Sequence, residues 1–139
     1  MKTNQTTIKA FVGLCFSLAS LTVLAQSIKV TLAGSQEVPP VTTSASGTGS
    51  IVIAPDGSVS GSVTTAGVDG TMAHIHEAPM GQNGPVIVPF TKTADSMWSV
   101  PAGAKLTDAQ LQSLKSGNLY INVHSAANKG GEIRGQLKP

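Results

Sequence analysis

Cysteine is absent from residues 26–139; the single one, Cys15, lies upstream. A domain of that length can bury one adequate core without disulfides. Charge is scarce, at 12% of residues. Of the nine Lys and Arg, Lys2 and Lys9 stand at the start, and the rest only balance the seven Asp and Glu. There is no basic stripe for nucleic acid and no polybasic patch for an anionic membrane. Aromatics are 4%, with one Trp, Trp98, which is expected to anchor the core. Long apolar runs are missing except in residues 10–25. There Phe11, Val12, Leu14, Phe16, Leu18, Leu21, Val23 and Leu24 follow the two lysines, as in an export signal. The run is short of the roughly 20 apolar residues that span a bilayer, which argues against a retained anchor. Val23-Leu24-Ala25 is an acceptable cleavage site before Gln26. Bulky Leu14 before Cys15, with most of the apolar run after it, argues against a lipoprotein. The expectation is a leader over 1–25 and an exported domain over 26–139, periplasmic or secreted.

Helix formers are also few after residue 26. Gly, Thr, Ser and Val dominate, and alternation of polar and apolar residues predicts strands over 27–32, 44–54, 58–65, 71–76, 85–90, 119–125 and 132–137. Asp56-Gly57 between two such runs is a hairpin signal. Pro39 and Pro40 cannot donate ladder hydrogen bonds, so 36–41 is an extended edge or a crossing connection. One helix is expected after Thr107, with Gln110 completing a capping box, Leu111 and Leu114 as its apolar stripe and Gly117 as its stop. The fold class is all-β: a Greek-key β-sandwich or barrel of about seven to eight strands with one short helix.

All three histidines fall in two of these strands: His74 and His76 in 71–76, and His124 in 119–125. Side chains at i and i+2 share a face of a strand, roughly 6.5–7 Å apart. Met72, His74 and His76 therefore face away from Ala73 and Ile75. In the later strands Tyr120, Asn122 and His124 face away from Leu119, Ile121 and Val123, and Glu132, Arg134 and Gln136 face away from Ile133 and Leu137. If the strands are neighbours, three neutral imidazoles meet. Such a set suits zinc or copper, and a Met would add a soft donor for Cu(I). The alternative is that the histidines are solvated on an open sheet face or bond loop carbonyls.

Arg134 pairs with Glu77 or Glu132, or serves as a fixed cation guiding a small anion. Glu77 is a loop carboxylate or orients a histidine ring from outside the ligand set. Met72 and Met80 are more often packing residues than ligands. Asp56 and Asp69 belong to turns, and no Ser-His-Asp or Cys-His set is present, so no catalytic residue is assigned and the sequence favours a binding protein over an enzyme.

Several ordered motifs carry a resemblance. Glu37-Val38-Pro39-Pro40-Val41, Ala73-His74-Ile75-His76-Glu77-Ala78-Pro79, Gly81-Gln82-Asn83-Gly84-Pro85-Val86, Trp98, Leu106-Thr107, the run from Leu119 to Asn128, and Gly130-Gly131-Glu132-Ile133-Arg134-Gly135-Gln136-Leu137 together resemble a CHRD domain, the module named after chordin. That resemblance implies an exported or extracellular β-domain and little chemistry. A weaker one is to the copper site of copper–zinc superoxide dismutases, in the order His74-x-His76, then His124, then Arg134. It implies copper held by the three histidines, with Arg134 guiding the anion. A bridging fourth histidine, a zinc loop and the disulfide cysteine of that family are missing. Three readings follow: an exported protein binding one transition-metal ion, copper favoured, through His74, His76 and His124; a non-metal module recognising an extracellular protein or glycan; and a dismutase-like copper enzyme. Tyr120 and Asn122 join Arg134 and Glu77 as residues around the first site.

Overall fold

The alternating segments fold as strands that send their apolar side chains to one interior. A computed structural model describes residues 24–139, and 1–23 of the expected leader lie outside the described residues. In order come β1 (Gln26–Ala33), a 3-10 turn (Gly34–Gln36), β2 (Ser46–Ile53), β3 (Val59–Ala66), β4 (Gly70–Glu77), β5 (Val86–Pro89), β6 (Thr91–Ala94), β7 (Met97–Ser99), α1 (Asp108–Lys115), β8 (Leu119–Ser125) and β9 (Ile133–Leu137). All pairings are antiparallel, in the order β5-β4-β8-β9-β1-β2-β3-β7-β6.

The two ends of that order, β5 and β6, are separated in sequence by Phe90 alone. The run from Val86 to Ala94 thus pairs with β4 first and β7 afterwards, and nearly closes the sheet into a barrel. Phe90 N–H donates to Ala73 O (2.9 Å) and Lys92 Nζ to Gly70 O (2.9 Å) along this seam. Taking β5 and β6 as one strand, the spatial order β8-β4-β5/β6-β7 is a Greek key. The barrel has nine strands rather than seven or eight. The difference lies in 91–100, which turns at Asp95-Ser96 into a hairpin of two short strands. Pro39-Pro40 sits in a strandless crossing from the 3-10 turn to β2, as its missing donors require.

The interior holds Ile28, Val30 and Leu32 of β1, Ile51 of β2, Val63 of β3, Ile75 of β4, Leu119, Ile121 and Val123 of β8, Ile133 and Leu137 of β9, and Trp98 at 2% exposure. Each large side chain so buried contributes about 1.5–3 kcal/mol. The expected capping box is present: Thr107 Oγ1 accepts from Gln110 N–H (3.2 Å), and Gln110 Oε1 accepts from Thr107 N–H (2.9 Å). Leu114 and Leu111 pack α1 onto the core. Among the described residues, no helix is long and apolar enough to cross a membrane.

Candidate metal centre

The polar face of β8 and β9 is not open to solvent, contrary to one expectation, and on β4 the cover takes in His76 and part of His74 while Met72 stays exposed. Every residue of β8 and β9 is buried on both faces. The cover comes from three stretches remote in sequence. The 77–84 loop is tied down by Gly84 N–H donating to Tyr120 Oη (3.2 Å), and by Arg134 donating to Asn83 Oδ1 (3.2 Å) and Gln82 O (2.7 Å). The 37–43 crossing meets that loop through Asn83 Nδ2 and Val38 O (2.8 Å), and meets the residue just before β9 through Thr43 Oγ1 and Glu132 Oε1 (2.8 Å). The 126–131 turn accepts from Asn122 at Gly130 O (3.3 Å) and bonds His124 at Lys129 O.

Beneath this cover the three histidines converge, because β4 pairs with β8. The register sets Met72 opposite His124, His74 opposite Asn122 and His76 opposite Tyr120. The rings then lean together, with centroids 5.0 Å apart for His74–His124, 5.4 Å for His74–His76 and 6.1 Å for His76–His124. One nitrogen from each lies within 4.8 Å of the others. Two nitrogens each about 2.0–2.1 Å from one ion are at most roughly 4.2 Å apart, so seating an ion needs the widest pair to close by a fraction of an ångström.

The ring orientations are set by backbone carbonyls. His76 Nδ1–H donates to Gly84 O (2.9 Å), and His124 Nδ1–H donates to Lys129 O (2.9 Å). Each bond fixes the neutral tautomer that leaves a lone pair on Nε2. His124 Nε2 lies 3.1 Å from His74 Nδ1, while His76 Nε2 is buried with no partner. Loop-carbonyl bonding, posed as an alternative to ligation, occupies only one nitrogen of each of these two rings and so does not preclude it. Gly84 is needed where it is, since a Cβ there would collide with Glu77 O.

Burial, then the neighbouring His124 and His76, push the His74 pKa from 6.5 down to about 4, and burial lowers that of His76. Both are therefore neutral at neutral pH and ready to donate lone pairs. The donor set is all imidazole, and with the partnerless His76 Nε2 it fits a transition-metal ion.

Arg134 is 1% exposed and forms no ion pair with Glu77 or Glu132 among the described residues. Glu77 instead accepts from Ser113 Oγ of α1, and Glu132 from Thr43. The Arg134 guanidinium lies 3.4 Å above the Tyr120 ring, and Tyr120 stacks on His76 with centroids 4.8 Å apart and planes at 7°. With β8 between β4 and β9, Tyr120 is the middle of a cation–aromatic–imidazole stack that packs His76. Met72 and Met80, at 50% and 62% exposure, are not packed.

Sequence reasoning assigned no role to Glu37, which is 3% exposed. Burial pushes its pKa up to about 7 against the pull of Arg134. Its only sequence signal is its place in the Glu-Val-Pro-Pro motif. The carbonyls of Gly84 and Lys129 leave no side-chain signature at all.

No curated protein and no solved structure matches the chain significantly. The family model of the CHRD domain matches residues 28–137, from the first core residue of β1 to the end of β9, and the chain belongs to the CHRD domain family.

Proposed function

We propose that this CHRD-domain protein is exported to the periplasm or beyond and binds a single transition-metal ion, copper favoured, through His74, His76 and His124. The observation that supports this most is the preset pair His76 and His124, whose Nδ1–H groups are tied to carbonyls while their Nε2 atoms turn to a common site with His74. Such preorganisation spares the ion the task of ordering its ligands. An all-nitrogen neutral set accepts zinc or copper, and the general affinity order places Cu(II) above Zn(II). The protein is a metal-binding protein in this reading rather than an enzyme. Copper loading of residues 26–139 beside His124→Ala tests it: the substitution weakens binding by more than about 100-fold, the upper range for losing even an outer contact. Equal binding by both proteins would sink the proposal.

A second reading, the non-metal module, draws on a cleft of about 420 Å³ between the 3-10 turn and the 77–84 loop, lined by Glu37, Val38, Met80, Arg134 and Gln136 among others. A glycan or extracellular peptide would enter there, beside exposed Met80. Met80→Glu abolishes capture of such a partner in this reading and leaves copper binding intact. The third reading, a dismutase-like enzyme, requires the contacts of Arg134 with Gln82 and Asn83 to open before an anion reaches the guanidinium.

A further inference from the structure

One histidine of the cluster and two side chains near it each carry a buried polar atom with no hydrogen bond: His76 Nε2, Glu37 Oε1 and Asn122 Oδ1. They belong to one neighbourhood. A Cβ placed on Gly131, whose φ is +133°, would strike both Glu37 Oε1 and Asn122 Nδ2, so the carboxyl and the amide meet across that glycine. Asn122 stands directly opposite His74, on the same face of β8 as Tyr120 and His124. Its Nδ2 is engaged by Gly130 O (3.3 Å), which leaves Oδ1 as a fixed acceptor. It is 2% exposed, and so sealed from bulk water.

A buried amide oxygen without a donor costs about 1–3 kcal/mol. Asn122 neighbours both Glu37 and His76, and Asn122 Oδ1 and His76 Nε2 are both left without a hydrogen bond of good geometry. A cation at Nε2 and a hydrogen-bond donor at Oδ1 would satisfy the two. The three-histidine centre supplies the first. A ligand carried by the ion supplies the second, since three protein ligands leave a fourth position.

We propose that Asn122 is a polar contact for that fourth position: its Oδ1 accepts a hydrogen bond from a protic oxygen ligand, water in the simplest case, carried by the ion, and Glu37 is the positioning residue that holds the amide in this orientation. The proposal rests on the metal reading above and specifies what the ion carries.

The test uses Cu(II) as the probe on the full domain. Oxygen-17 double resonance in labelled water shows whether an oxygen ligand from solvent is bound to copper, and the pH midpoint of the copper absorption band reports its ionisation. An acceptor favours water over hydroxide, so Asn122→Ala lowers the midpoint by about one unit. Glu37→Ala lowers it in the same direction, and Glu37→Gln, which keeps an amide-bonding group, restores it. A purely structural role would reduce melting temperature in these variants without moving the midpoint. Wild-type protein whose copper shows no oxygen-17 coupling from labelled water overturns the inference without any variant, as does an unmoved midpoint in folded Asn122→Ala. Wild-type protein that takes up no copper overturns this inference and the metal reading together.

Discussion

His76 shows how much one side chain depends on its surroundings. Its ring is gripped on one edge by Gly84 O and on one face by Tyr120, which itself lies under Arg134. Gly84→Ala forces the collision with Glu77 O to be relieved by shifting the 84 carbonyl. Overpacking of this kind costs about 1–3 kcal/mol, and here it also frees the tautomer of His76. The expected outcome is a lower melting temperature together with weaker copper affinity, read by calorimetry and by competition with a chelator. A drop in stability with unchanged affinity would mean that the carbonyl does not set the ring. At this scale the sequence showed which face each histidine takes, because alternation in a strand is geometric. It could not show the carbonyls that orient the rings, since any residue type supplies one.

Among the elements, β8 decides the site. It places Tyr120, Asn122 and His124 on one face and Leu119, Ile121 and Val123 on the other, and both faces are buried. The alternation was legible from the sequence. The second layer was not, because it is made by the 37–43, 77–84 and 126–131 segments, which have no periodicity. The expectation of an outward polar face fails for that reason, and so does the pairing of Arg134 with Glu77 or Glu132: the loop supplies Asn83 and Gln82 first. The helix was the easiest element to place, since its signals are local. Thr107→Ala removes the acceptor for Gln110 N–H, and a cap of this kind contributes about 1 kcal/mol. Denaturant melts should register that loss. Copper affinity should hold, because α1 reaches the site only through Ser113 and Glu77, neither of which touches a histidine nitrogen.

At the scale of the whole barrel, the half-buried His74 and the buried Glu37 give stability opposite pH slopes. His74 has its pKa lowered from 6.5 to about 4, so the unfolded chain binds the extra proton between those values and stability falls as pH drops through that window. Glu37 has its pKa raised from 4.5 to about 7, so the folded chain binds the extra proton and stability falls as pH climbs from 4.5 to about 7. The slopes oppose one another up to pH 6.5, and above it only the Glu37 loss continues. Glu37→Gln removes that loss, so its melting temperature should gain on wild type between pH 5 and 7.5 and run parallel above. A constant offset across the range would place the Glu37 carboxyl at an ordinary pKa.

The antiparallel pairing of β4 with β8 makes one site from residues 50 positions apart in sequence. Nitrogen resonances of the six imidazole positions in protein labelled with 15N-histidine, followed while Cu(I) is added without oxygen, test that convergence most directly. Nε2 of His76, Nε2 of His124 and one nitrogen of His74 should shift together and stop at one equivalent, with Nδ1–H of His76 and His124 retained. A shift confined to His74 and His76, or one that keeps growing past one equivalent, would contradict a single three-histidine centre.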